Sequence, residues 1–277
     1  MATYVTTKHS PLFPIFMILI LVITLFPIYW IVVTSLKTPL ENILPVPTLY
    51  PHKFTLENYH KVLFGGSLHN LWNSVFVTAA STLLSLALGF LSAYALVRYR
   101  FPLKFNVVFL VWIIIVKMLP PVVLAVPLYE MFAKMKLINN LWGLVLIFQV
   151  YTLPYCIWML YGFLKSLPLE FEEAAEIDGA SRLQIVRLIV FPLVQTGVIA
   201  TAIFSIIVAW DEFLFSMLFI RSPELQTLPL AIVSYIGEFE TLWGQLMAIS
   251  VLAIIPIIVF VRFVYREMTS AYSLGLK

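Results

Sequence analysis

Apolar runs interrupted by few charges recur along the 277 residues, at about 12–36, 71–97, 107–127, 141–164, 188–211 and 244–264. Each is near or above the ~20 residues that a helix needs to cross the hydrocarbon layer. Backbone groups in lipid must find partners within the chain, so the pattern predicts helices and an all-α membrane protein of about six spans. The first run is too long for the apolar core of a secretory signal, and no small-residue cleavage pattern follows it, so it reads as a retained span.

Two polar stretches stand out between the runs. Thr38–His69 mixes prolines with charges and predicts a loop bearing a short amphipathic helix near Leu56–Leu63. Arg221–Thr241 contains LPLAIVSYI, which is too short to span and is expected at the interface or re-entering. Pro120, Pro121 and Pro127 predict a break or kink near the end of the third span, and Pro154 a similar one in the fourth. The sequence shows no internal repeat and no separate soluble domain, and so reads as a single transmembrane unit over 1–277.

Composition agrees with this reading: 62% of residues are hydrophobic and 11% charged, outside the range of soluble domains. Lys and Arg set the expected orientation. Arg98, Arg100 and Lys104, then Lys165, Arg182 and Arg187, then Arg262, Arg266 and Lys277 fall on the side that also holds Lys8. That side is expected to be cytoplasmic, with both termini on it. Lys37, Lys53, Lys61, Lys134, Lys136 and Arg221 fall on the other. The one cysteine, Cys156, lies in an apolar run and excludes a disulfide framework.

Against this background EEAAEIDGAS is out of place. Glu170, Glu172, Glu173, Glu176 and Asp178 bring five of fourteen acids into nine residues. Pro168 suits an early helix position. Phe171, Ala174 and Ala175 form an apolar stripe at i, i+3 and i+4, with Glu172, Glu173 and Glu176 on other faces. Gly179 suits the left-handed position just past a helix end, and Ser181 to Gln184 reads as a capping box opening a second helix. The segment 168–187 is thus a helix, a glycine turn and a helix. A metal site is disfavoured, because the nearest histidine is His69 and no second carboxylate helix exists. Acid–base catalysis by exposed, ionised carboxylates is equally weak. A solvated loop and a docking element for a soluble partner remain.

Lys117 is the cation well inside a span, where ionisable groups are costly and mark pathways by default. Trp210, Asp211 and Glu212 follow near the end of the fifth span, and a pairing of Lys117 with these acids is conceivable. If Lys117 is unpaired and faces a cavity, it would attract an acidic ligand. These four are the candidate pathway residues, and an ion-coupled carrier using Lys117, Asp211 and Glu212 is the rival reading. Tyr29, Trp30, Trp72, Trp142 and Trp243 fit interfacial belts.

The segment from Glu173-Ala174-Ala175 through Asp178-Gly179-Ala180 to Pro192-Leu193 resembles the EAA signature of ABC-importer permeases. IYWIVVTSLK, FTLENYHKVL, AYALVRYRFP, MLPPVVLAVPLYEMF, NLWGLVL, AWDEFLFSM and TLPLAI resemble the carbohydrate-importer branch, and its maltose-type second permease most. The resemblance implies the type I importer fold in a bacterial or archaeal inner membrane. It also implies that the 168–187 helix is a coupling helix seated in an ATPase subunit. The implied partners are a sister permease, two ATPase subunits that hold ATP and Mg, and an external sugar-binding protein, with no nucleic acid. The chain departs from the pattern at Thr196, at Asp211 and in its tail SAYSLGLK. No G-x-x-x-x-G-K-[ST] occurs, so an ATP-binding P-loop is missing. There is also no nucleophile elbow and no H-E-x-x-H. The expected role is a non-catalytic permease with no cofactor or metal of its own.

Overall fold

A computed structural model describes residues 12–237 and 240–274. Helices α1 (Leu12–Ser35), α2 (Pro39–Asn42), α3 (Glu57–Val62) and α4 (Leu68–Arg98) lead into α5 (Phe105–Met118) and α6 (Pro121–Lys134). Then come α7 (Leu141–Ile147), α8 (Gln149–Ser166), α9 (Glu170–Ile177), α10 (Arg182–Ile185), α11 (Phe191–Leu193) and α12 (Gln195–Trp210). Helices α13 (Leu214–Phe219), α14 (Leu228–Val233) and α15 (Trp243–Leu274) complete the order. Among the described residues, three helices are long and apolar enough to cross a membrane, and up to six spans result if each bent pair counts as one. Lys8, Lys277 and the last three residues of SAYSLGLK lie outside the described residues.

The breaks follow local chemistry only in part. Helices α5 and α6 meet at 98°, where Pro120 and Pro121 deny two backbone donors. In the fourth span the break is not at Pro154, which lies inside α8. It falls at Phe148, where α7 and α8 meet at 41° and the Phe148 carbonyl accepts from both Tyr151 and Thr152 at 3.0 Å. A further bend of 76° at Val194 separates Arg182–Leu193 from α12.

The chain divides into two compact units, residues up to Gly65 with Ser234–Ile254, and Gly66–Val233 with the residues from Ile255 onward. In the first unit, α1 exposes side chains on every face from Phe13 to Tyr29. A helix apolar all round and uncovered by its own unit requires lipid or another subunit around it. Its end is gripped by buried Asn58, whose amide donates to the Ser35 and Lys37 carbonyls at 2.9 and 2.8 Å. Lys37 is buried here, donating to the Thr48 carbonyl and lying 4.7 Å from the centroid of the Trp30 ring.

Nearby, one Glu41 carboxylate oxygen accepts from the Thr48 hydroxyl at 2.8 Å and from the His52 backbone N–H at 3.0 Å. Burial pushes this carboxyl up, but these bonds, the His52 ring and its charge outweigh burial and hold it below its ordinary value. The sign follows: a depressed carboxylate stabilises the fold above the unfolded value and loses that contribution as pH falls through the folded one. Amide exchange at His52, corrected for intrinsic rate, is expected to lose protection as pH falls through and below the ordinary carboxylate range. In Glu41→Gln the step should vanish; a step of the same size in that variant would rule out Glu41 as its source.

The second unit is built on α4, α8 and α12. Helices α4 and α8 touch at Gly89 and buried Cys156. Small residues permit such close approach between membrane helices. A polar seam runs along the contact: the Ser85 hydroxyl donates to the Gln149 side chain at 2.5 Å, the Gln149 amide donates to the Ser81 carbonyl at 3.2 Å, and Thr82 meets Ser205 of α12 at 3.4 Å. At one end, Phe132, Phe148, Phe215 and Phe219 pack α6, α7, α8 and α13 together. At the other, Phe90, Tyr94, Leu160, Leu164, Ala175, Ile185 and Val190 form a second core.

Candidate functional site

The sequence Glu170–Gln184 folds as an elbow. Helix α9 ends at Asp178, and Gly179 takes φ +82°. Its N–H bonds the Glu176 carbonyl at 3.0 Å, and the Ala180 N–H bonds that of Ala175 at 3.0 Å, so the last carbonyls of α9 are satisfied. The capping box forms: Gln184 Oε1 accepts from the Ser181 N–H at 2.8 Å as α10 begins. An ion pair between Arg182 and Glu176 closes the bend.

The buried face of α9 differs from the expected stripe. Phe171 and Ala174 are exposed, and Ala175 alone of the three is buried, in the core with Leu164, Ile185 and Val190. One turn before it, Glu172 is 1% exposed. Its oxygens accept from Arg98 Nε at 2.5 Å and from the Tyr94 hydroxyl at 2.7 Å, while the Arg98 Nη2 donates to the Leu167 carbonyl at 3.1 Å. Charge compensation from α4 is what lets a carboxylate replace an apolar side chain in this face. Sequence reasoning missed this cluster. Its available signals were the Glu172–Ala175 spacing of one turn and Arg98, a cation without an acid nearby in sequence.

The opposite face stays uncovered. Glu173, Glu176 and Asp178 are exposed beside Phe171 and Ala174, while Ile177 is 87% and Leu183 76% exposed. Ala180 is half-buried next to the turn. The elbow therefore holds one rigid side within the chain and presents a mixed apolar and acidic side outward.

Lys117 pairs with none of the other pathway candidates, although Lys117 and Glu212 both touch Tyr151. Lys117 is half-buried at the end of α5, donates to the Tyr151 carbonyl at 3.3 Å and lies over the Tyr155 ring at 4.1 Å and the Tyr151 ring at 5.4 Å. It forms no ion pair among the described residues, so the conceivable pairing with Asp211 or Glu212 is not made. Glu212 is buried and spends its carboxylate on the start of α13, accepting from the Phe215 and Ser216 N–H groups at 2.8 and 3.2 Å. Asp211 is exposed. Trp210 is buried and lines an apolar cavity of about 390 Å³ with Val75, Ile206, Ile207, Pro256 and Phe260.

Residues 85–270 match the family described as binding-protein-dependent transport system inner membrane component. The chain is 38% identical over 258 residues to the sulfoquinovosyl glycerol transport system permease protein SmoH of Agrobacterium fabrum, covering 93% of this chain and 90% of that protein. It is 32% identical to the trehalose/maltose transport system permease protein MalG of Thermococcus litoralis, covering 93% of each. A chain of a bacterial ABC transporter involved in the import of the acidic polysaccharide alginate shares the fold, with a TM-score of 0.79 at 21% identity over 95% of this chain and 99% of that one.

Proposed function

The chain belongs to the binding-protein-dependent transport system inner membrane components, and from that premise we propose that it is the permease subunit of an ATP-driven carbohydrate importer. Relatives named for sulfoquinovosyl glycerol and for trehalose and maltose support the carbohydrate class. The partners on this reading are a sister permease, two ATPase subunits carrying ATP and Mg, and an extracytoplasmic sugar-binding protein. Both termini and the 168–187 elbow face the cytoplasm, and substrate crosses through a cavity shared with the sister subunit.

The observation that carries the proposal is the elbow. Its Gly179 turn and capped second helix are held rigid by bonds inside the chain, while Phe171, Ile177 and Leu183 lie bare beside three acids. Apolar side chains exposed on a rigid, charged element mark a protein contact. Glu173, Ala174, Ala175, Asp178, Gly179 and Ala180 are the coupling residues on this account. Affinity purification of the tagged chain from its native membrane should bring down an ATPase subunit with the sister permease. Recovery of the sister without any ATPase, under conditions that preserve known importers, would refute the assignment. The ion-coupled alternative loses its geometric basis, because Lys117 pairs with neither Asp211 nor Glu212, and Glu212 is bonded to the start of α13.

Lys117 extends the reading to acidic sugars. A cation with no acidic partner among the described residues, half-buried against two tyrosines, favours an anionic cargo over a neutral one of equal size. In Lys117→Ala, uptake of a uronate oligosaccharide is expected to fall about tenfold more than that of a neutral one, equivalent to about 1.4 kcal/mol. Equal loss of both, or of neither, would sink the idea.

A further inference from the structure

Both ends of α4 are tied by side chains to segments outside the span bundle. At one end Arg98 and Tyr94 hold Glu172 of α9, as described. At the other, the Asn70 amide donates to the Pro223 and Gln226 carbonyls at 3.1 Å each. The Asn73 amide donates to the Glu224 and Gln226 carbonyls at 2.8 and 3.0 Å, and Ser74 Oγ accepts from the Leu228 N–H at 2.6 Å. Helix α4, which carries both ties within its ends, runs unbroken for 31 residues, about 46 Å at 1.5 Å per residue. The neighbouring path is different: α8 stops at the 41° bend, and α12 starts only after the 76° bend. Among the described residues, no other helix of this unit joins the elbow to the 223–228 segment without a break.

We propose that α4 is the rod that carries movement of the coupling elbow to the external segment Ser222–Leu228, with Arg98, Tyr94 and Glu172 as its inner clasp and Asn70, Asn73 and Ser74 as its outer one. The inference rests on the elbow being the ATPase contact. A buried carboxylate with two charge-assisted or hydroxyl donors cannot lose one partner cheaply, so the inner clasp resists slipping under load. Four amide bonds to backbone carbonyls do the same at the outer end. The six side chains are positioning residues: they act by fixing one segment of the chain to another. By linkage, cargo events that shift the external segment bias the elbow by the same route.

The rod makes a prediction that needs no knowledge of the cargo. Ile177 and Trp72 are exposed near the two ends of the proposed rod, at 87% and 69%. Spin labels at Ile177→Cys and Trp72→Cys, in a Cys156→Ala background and in the assembled complex with its ATPase, report the distance between elbow and far end. In the otherwise native chain that distance should stay as one narrow distribution in the nucleotide-free state and with ATP, Mg and vanadate. In Arg98→Gln it should broaden or shift on adding nucleotide, and Tyr94→Phe should show a smaller change of the same kind. A distance that changes with nucleotide in the otherwise native chain overturns the proposal even if the Arg98 variant does not assemble. So does an Arg98→Gln distribution that remains narrow and unchanged. A native complex that binds no ATPase would instead remove the elbow assignment on which the rod depends.

Discussion

Replacing Gly179 with proline is expected to cut coupled transport to below about a tenth while the span bundle stays folded. The residue sits at φ +82°, whereas proline is confined near −65°. Proline would also delete the N–H that bonds the Glu176 carbonyl at 3.0 Å. A Cβ at this position meets nothing within 4 Å, so the effect is conformational and not steric. Forcing φ negative swings α10 away from α9 and separates Arg182 from Glu176, so the outward side of the elbow no longer exists as one surface. A series separates the causes. Gly179→Asn should be tolerated best, since asparagine enters the left-handed region at lower cost than other residues. Gly179→Ala should lose about 1–2 kcal/mol of local stability. ATP hydrolysis and uptake in reconstituted complexes provide the readout, with uptake falling and hydrolysis no longer responding to cargo. Unaltered coupling in the proline variant would count against the docking role.

The second large effect concerns assembly. Gly89→Leu should prevent recovery of folded permease, and Gly89→Ala should cost about 1–3 kcal/mol, the usual range for overpacking a filled site. A Cβ at Gly89 would stand 2.7 Å from Cys156 Cβ and 3.3 Å from the Cys156 and Ile157 backbone, and backbone cannot turn aside as a side-chain tip can. Gly162 on the same α8 helix is the internal control, because a Cβ there meets nothing within 4 Å. Gly162→Ala should be neutral or slightly stabilising, helix propensity favouring alanine by about 1 kcal/mol. Thermal unfolding in detergent distinguishes the two. Equal midpoints for Gly89→Ala and Gly162→Ala would mean that α4 and α8 do not approach as described.

What could be read from the chain alone was whatever local chemistry dictates. Apolar runs fixed the helical class and the number of candidate spans, because lipid leaves a backbone few choices. The turn of the elbow and the start of its second helix were legible, since Asp178-Gly179 and Ser181-x-x-Gln184 each satisfy backbone groups within four positions. Glu172 was not. Nothing nearby distinguishes it from Glu173 or Glu176, and its burial depends on Arg98, 74 positions earlier. The same limit explains Lys117 and Glu212. Their partners are a ring and a carbonyl on another helix in one case, and in the other the start of a helix too short to announce itself. The bend at Phe148 lacks the proline that signals one, while Pro154 is absorbed within α8.

Cysteine cross-linking tests the central claim most directly. With Cys156 buried and no other native thiol in the sequence, a cysteine placed at exposed Asp178 is the single reactive site on this chain. In native membranes containing the whole complex, Asp178→Cys treated with a short bifunctional reagent should join this chain to an ATPase subunit, with a yield that changes when ATP and Mg are added. An intact complex in which Asp178→Cys never reaches an ATPase subunit, while a cysteine at exposed Leu103 does, would contradict the account.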